Sequence, residues 1–123
     1  MAKNVTIKDI PSSEEILFAN IVSYKDHSLI GIPNYKSVKF VVTNISIYIK
    51  IAGVLIDTSG TQSLPIDQID TLTIKTPLFK SNRFLIIGIK GCKPIQFTLA
   101  AKDCQTVVNI HKNIKPSIVV EET

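Results

Sequence analysis

The sequence predicts a mainly β fold, in which about seven antiparallel strands form an open barrel and one C-terminal helix covers an end. Residues 37–51 alternate apolar and polar side chains with a period of two, which is typical of strands. Further stretches of the same kind follow, separated by Gly, Pro and Asn. After Leu99 the apolar period becomes helical. A curved sheet has open ends, and an amphipathic helix is a natural cover for one of them.

The clearest element is a hairpin in residues 37–51, whose two strands meet at Thr43 and Asn44. Asn is common in turns because its short side chain can hydrogen-bond to nearby backbone. The apolar side chains that share one face are Val38, Phe40 and Val42 in the first strand and Ile45, Ile47, Ile49 and Ile51 in the second.

The remaining strands are predicted on both sides of this hairpin. Residues 16–22 suit a strand or a helix, because Ser12 to Glu15 resemble a helix start. We favour the strand, since the sheet needs partners. A loop follows at residues 24–36. The later strands are predicted at residues 62–66, 70–76, 83–90 and 95–99. Pro65 favours a sheet edge or a strand end, and residues 83–90 are apolar on both faces, which indicates a central, doubly covered strand.

Residues 101–114 predict a single amphipathic helix that ends before Pro116. Its apolar stripe contains Cys104, Val107, His111 and Ile114. The 123 residues are enough for one domain. We expect its core at about residues 15–114, with flexible ends at residues 1–11 and 116–123.

The formal net charge is +4, which is spread thinly and fits a solvated sheet face that carries Lys. Arg83 is the only Arg, which argues against nucleic acid as a partner. Cys92 and Cys104 form no CxxC pair, and the first ten residues lack the apolar run of a signal peptide. We therefore expect reduced thiols and a cytoplasmic location.

No group of residues predicts an enzyme, a metal site, a cofactor or a small-molecule substrate. Neither His27 nor His111 has ligands at zinc spacing, and Cys104 and His111 lie two helical turns apart, about 10 Å. His111 is expected half-buried at the rim of the core. The acidic residues are interpreted as solvated turn residues; they are Glu14, Glu15, Asp67 and Asp70.

Two short motifs resemble the core pattern of the bacterial pleckstrin-homology-like (PH-like) domain family. They are Val-Val-Thr-Asn at residues 41–44 and Ser-Leu-Pro-Ile-Asp-Gln-Ile-Asp-Thr-Leu at residues 63–72, and the resemblance spans about residues 15–114. Ser46 stands where family members often carry Arg. The loop that holds phosphoinositides in such domains offers only Lys25, His27 and Lys36 here, beside Asp26. The resemblance therefore implies the fold and a non-catalytic scaffold role, without lipid binding.

The leading functional hypothesis is an intracellular interaction module that binds a protein partner, or assembles with itself, through sheet edges and loops. The alternative is peripheral binding to an anionic membrane surface. The candidate contacts for that alternative are Lys36, Lys39, Lys75, Lys80, Arg83, Lys90 and Lys93.

Overall fold

The computed structural model describes residues 5–24, 36–52, 60–77 and 81–123, which form an eight-stranded sheet and one helix. The strands are β1 (Ile16–Tyr24), β2 (Lys36–Thr43), β3 (Ser46–Ile51), β4 (Gln62–Pro65), β5 (Ile69–Lys75), β6 (Asn82–Ile89), β7 (Ile95–Ala100) and β8 (Val119–Glu122). The helix α1 (Ala101–Ile114) lies between β7 and β8, and a short 3₁₀ turn (Ile66–Gln68) joins β4 to β5.

The strands are arranged in the order β4-β3-β2-β1-β7-β6-β5-β8. All neighbours are antiparallel except β5 and β8, which are parallel. The sheet curls into a half-barrel, and the buried stripe of α1 joins the core inside it. The predicted fold class is confirmed, including the helix at residues 101–114 and the strand at residues 16–22.

Aromatic side chains from three neighbouring strands form the centre of the core. The ring of Phe97 on β7 lies 5.6 Å from that of Tyr24 and 5.0 Å from that of Phe40. Phe18 meets Phe40 edge to face at 6.2 Å. Such tilted and edge-on pairs are the favoured aromatic geometry, so they add to the stabilisation from burial.

The β2–β3 hairpin turns at Asn44 and Ile45, one residue later than predicted. The hydroxyl of Thr43 accepts hydrogen bonds from the amides of Ile45 and Ser46, both at 3.1 Å, and these bonds close the turn. Ile45 therefore lies in the turn with 53% of its side chain exposed, and it does not continue the apolar face of β3.

Glu14 ties the segment before β1 to the hairpin. Its carboxylate accepts a hydrogen bond from the Thr43 hydroxyl at 2.6 Å and from the Tyr48 hydroxyl at 2.8 Å. Burial and this carboxylate raise the pKa of Tyr48. The amide of Glu15 donates to the Asn44 side chain at 2.8 Å. The interpretation of Glu14 as a solvated turn residue is therefore corrected, because the carboxylate meets two hydroxyl donors that only the folded hairpin presents.

Residues 5–10 cover the outer face of the first three strands. Val5 and Ile7 are buried there against Ala19, Val41 and Tyr48. This packing differs from the expected flexible N-terminal end. The reason is that Val41 and Tyr48 make the outer face of the hairpin apolar, and burying such a face away from water is favourable.

The helix α1 is anchored to the sheet at both ends. Near its start, the Asn20 side chain donates to Asp103 at 3.0 Å. After its last turn, Lys115 donates to the backbone carbonyls of Asp67 and Ile69 at 2.8 and 2.7 Å.

His111 is fully buried, so its expected position at the rim of the core is corrected. Its Nδ1–H donates to the carbonyl of Val107 at 2.8 Å, and its Nε2 has no hydrogen-bond partner in the described structure. Burial lowers the pKa of His111. The ring is therefore neutral, and its protonation opposes folding.

Two further predictions differ from the structure. The strand β6 is interior in the sheet, but only Leu85 and Ile87 are buried, while the opposite face is half-buried. It is thus not doubly covered. Part of the expected C-terminal tail forms β8, beside β5, after the buried Ile118. The short β8 depends on pairing with a distant strand and has little local signal. The predicted loop at residues 24–36 lies largely outside the described residues.

We expect Glu14→Gln to lower the free energy of unfolding by about 1–3 kcal/mol, because a neutral amide accepts weaker hydrogen bonds from the Thr43 and Tyr48 hydroxyls than the charged carboxylate does. Chemical denaturation measures this difference. Glu15→Gln is the matched control, since Glu15 is exposed and its bonds to Asn44 are made by its backbone. Equal stability of the two variants would contradict the role of Glu14.

We expect Val107→Asp to lower the free energy of unfolding by several kcal/mol, because the substitution buries an unpaired carboxylate. This is a large share of the about 5–15 kcal/mol that is typical of a domain. Asn109→Asp, at an exposed position of the same helix, is the control. If both variants melt within a few degrees of the parent, α1 does not pack as described.

The lowered pKa of His111 predicts acid sensitivity. The unfolded chain takes up a proton at this residue as the pH falls through the ordinary histidine range, near 6.5, while the folded chain resists it. The stability that depends on a neutral, buried His111 is therefore fully present above this pH range and is lost as the pH falls below it. We expect His111→Leu to lose less stability than the parent between about pH 7.5 and about pH 5.5. Urea denaturation at both pH values tests this, and an unchanged pH dependence would refute it.

Candidate interaction site

The candidate site is the edge of β1 that faces the first turns of α1. The strand is nine residues long, but only Ser23 and Tyr24 pair with β7. The antiparallel register directs the earlier residues of β1 toward those that follow Thr98, where the chain becomes helical at Ala101. A helix satisfies its backbone groups internally and cannot extend a strand ladder. Most of this edge therefore has no partner strand in the described structure.

A groove of about 410 Å³ separates this edge from α1. The β1 wall is apolar except for Asn20, and the wall formed by the helix is polar. The lining residues are Leu17, Phe18, Ala19 and Asn20 from β1 and Lys102, Asp103 and Thr106 from α1.

The Asn20 side chain forms hydrogen bonds with groups on both walls of this groove. Its Oδ1 accepts from the amide of Ile21 at 2.8 Å, while its Nδ2 donates to Asp103. Ile21 therefore directs its amide toward the open edge. Alternate residues of a strand address the same edge, so Ala19 presents its backbone groups there as well. The Oδ1 of Asn20 is therefore the acceptor for the Ile21 amide in the place where a neighbouring strand would offer a backbone carbonyl.

The two ends of the sheet are less suited to strand pairing. The edge strand β4 has four residues and contains Pro65. The opposite edge strand β8 also has four residues, and Glu121 and Glu122 are exposed on it. Short strands, Pro and charged side chains all discourage pairing at an edge. Among the edges in the described structure, that of β1 carries none of these features at Leu17 to Val22.

The basic residues predicted for a membrane surface lie on different parts of the molecule. Lys75 on β5 is opposite Phe84 and shares its face, whereas Arg83 precedes Phe84 and lies on the other face. Arg83 donates to the carbonyls of Ser81 and Asn82. Lys90 and Lys93 are exposed in the turn after β6, about 25 Å from Arg83 at the start of that strand.

Lys39 is separate from these residues, on the outer face of β2. The side chain of Lys36 is not described, and Lys80, Lys25 and His27 lie outside the described residues. No helix in the described part of the chain is long and apolar enough to cross a membrane.

The structure brings Lys39 together with two lysines that were not predicted as contacts. Lys50 lies directly opposite Lys39 on β3, and Lys8 lines the same groove. The pairing of Lys39 with Lys50 follows from a turn centred between Asn44 and Ile45. The sequence contained this signal, but the one-residue error in the position of the turn concealed it.

The nucleophile and metal candidates form no reactive group in the described residues. Both cysteines are free thiols, with Cys92 exposed and Cys104 buried. Burial raises the pKa of the Cys104 thiol to about 11, which keeps it protonated. His111 hydrogen-bonds within its own helix. No cluster of His, Cys, Asp or Glu within the described ranges could hold a metal ion.

Comparisons with known proteins show similarity in structure only. No family model and no curated protein matches the sequence. The hSac2 domain from human phosphoinositide phosphatase Sac2 aligns with a TM-score of 0.62 and 16% identity, over 93% of this chain and 80% of that one. The C-terminal domain of an unknown protein from Leishmania infantum aligns with a TM-score of 0.58 and 14% identity, over 82% and 84% of the two chains.

A third similar solved structure contains a PH domain. It is the DH/PH domains of PDZ-RhoGEF, in complex with GTP-gamma-S activated RhoA, with a TM-score of 0.51 and 9% identity. The match covers 85% of this chain and 30% of that one. Together with the strand order and the C-terminal helix, these similarities indicate that the chain has a PH-like fold.

Proposed function

We propose that this chain is a non-catalytic intracellular interaction module, which binds an extended segment of a protein partner by adding it as a strand to β1. One observation carries the proposal. Only Ser23 and Tyr24 of the nine-residue β1 pair with β7, and a groove lies along the rest of that edge. In strand addition, backbone hydrogen bonds give affinity and alternate side chains give specificity.

The groove offers both kinds of contact. The backbone groups of Ala19 and Ile21 address the open edge, and an incoming strand replaces the Asn20 side chain as the acceptor for Ile21. Asn20 and Asp103, once released from each other, provide polar groups for the partner. Leu17 is a half-buried apolar side chain at the same wall. An extended segment with apolar and hydrogen-bonding side chains in alternation matches this arrangement.

The comparisons are compatible with a binding role. The PDZ-RhoGEF structure includes a PH domain within a complex with a small GTPase. At 9% identity, this similarity supports the shared fold alone. The choice of a protein partner for this chain rests on the β1 edge. The membrane alternative has weaker support, since Lys75, Arg83 and Lys90 lie on different surfaces.

A library of phage-displayed random peptides, each about twelve residues long, tests the proposal. We expect selected peptides to bind with micromolar Kd and to shift the backbone amide resonances of Ala19 and Ile21. Thr106→Trp fills the groove and should weaken binding about ten-fold or more. Asn113→Trp is the matched control, because it places the same ring at an exposed position two turns further along α1.

Light scattering in parallel reports whether a second copy is the partner. A dimer that forms at tens of micromolar and is lost in Thr106→Trp supports strand addition between copies. Peptides that bind equally well to both Trp variants place the interaction elsewhere and overturn the proposal. Failure to recover any binder, with a chain that stays monomeric, also overturns it.

A further inference from the structure

A second recess lies beside the first turns of α1, between the helix and strands β5, β6 and β8. This pocket has a volume of about 470 Å³, which falls within the range of small-molecule sites, roughly 300–1,000 Å³. It shares no lining residue with the groove beside β1. Its lining includes Ile74, Arg83 and Glu122 from the sheet and Ala101, Cys104 and Gln105 from the helix.

Arg83 supplies a positioned cation to this pocket. It lies two residues before the fully buried Leu85, and alternate residues of a strand share a face, so Arg83 belongs to the inner face of the sheet. Its Nη1 donates to the backbone carbonyls of Ser81 and Asn82 at 3.0 and 3.3 Å. A guanidinium group carries five N–H donors, so these two bonds orient it and leave three donors, on Nε and Nη2, for a ligand.

Glu122 supplies a carboxylate to the same pocket from β8. It lies two residues after Val120, which packs against the core, so it also belongs to the inner face. Because β5 separates β6 from β8, the backbones of these two strands are about 10 Å apart. Within the described residues, Arg83 bonds to the two carbonyls and forms no ion pair with Glu122. The pocket therefore presents opposite charges that are held apart.

The surface between these charges is apolar. Ile74 and Cys104 are buried side chains that line the pocket, and Ala101 adds a methyl group. Cys104, with its raised pKa, is a neutral thiol and adds no charge. A ligand in the pocket thus meets a guanidinium group, a carboxylate and an apolar surface together.

We infer that this pocket binds a small zwitterion, an α-amino acid with an apolar side chain. The guanidinium of Arg83 receives its carboxylate, the carboxylate of Glu122 receives its ammonium group, and Ile74 contacts its side chain. Guanidinium can hold a carboxylate through two parallel bonds, and such charge-assisted bonds are about twice as strong as neutral ones. A ligand that lacks either charge leaves one protein charge partly desolvated and unpaired, which is unfavourable.

Two other kinds of ligand fit the pocket less well. A phosphate ion or a simple carboxylate pairs with Arg83 but is repelled by Glu122. A metal ion needs several ligands close together, and no such cluster exists in the described part of the chain. The inference does not depend on strand addition to β1, because the two sites have separate linings.

The test uses L-leucine and two compounds of similar shape that each lack one charge, isocaproate without the ammonium group and isoamylamine without the carboxylate. Binding is measured from the backbone amide resonances of Cys104 and Gln105. We expect L-leucine to bind with a Kd of about 0.1–1 mM, since a ligand of so few atoms has limited affinity. Isocaproate and isoamylamine should each bind about ten-fold more weakly or less.

Substitutions assign the two charges. Arg83→Gln and Glu122→Gln should each weaken L-leucine binding about ten-fold or more, and Arg83→Lys, which keeps the charge without the planar fork, should have a smaller effect. Glu121→Gln is the matched control for Glu122, because it removes the same charge from the opposite face of β8. Lys75→Gln is the control for Arg83, and both controls should change the Kd less than about two-fold.

Several outcomes contradict the inference. Resonances of Cys104 and Gln105 that stay unmoved at about 10 mM L-leucine overturn it. Isocaproate or inorganic phosphate that binds as tightly as L-leucine indicates a simple anion site and also overturns it. Equal effects of Glu121→Gln and Glu122→Gln place the ligand elsewhere. Thr106→Trp should leave the affinity for L-leucine unchanged, so a failure of strand addition at β1 is distinguishable from a failure here.

Discussion

The chain leaves the sheet at Ala100 and becomes helical at Ala101, and much of the structure depends on this change. An amphipathic helix must bury its apolar stripe, and the interior of the curled sheet accepts it. Val107 and His111 thereby become fully buried. Because β7 ends at Ala100, it does not continue alongside the part of β1 that precedes Ser23. The closure of the core and the open edge of β1 therefore have one cause, the early end of β7.

The open edge belongs to the best-supported part of the sheet. Core side chains pack on the inner face of β1 to β3, and Val5 and Ile7 cover part of their outer face. Glu14 joins this cover to Thr43 and Tyr48 through hydrogen bonds. A strand held on both faces loses little conformational entropy when a partner binds, so β1 is a preorganised template.

The sequence by itself determined the strands β2 to β7, the single helix and the fold class, because a period of two or of 3.6 is a local property of the chain. The motif around Thr43 and Asn44 located the hairpin to within one residue. The tertiary structure decided what depends on contacts between distant segments. It paired Lys39 with Lys50, buried His111, bound Glu14 to two hydroxyls and placed β8 beside β5. Within the described ranges it also left the edge of β1 open, since neither β1 nor α1 alone shows that the helix begins where the partner strand would continue.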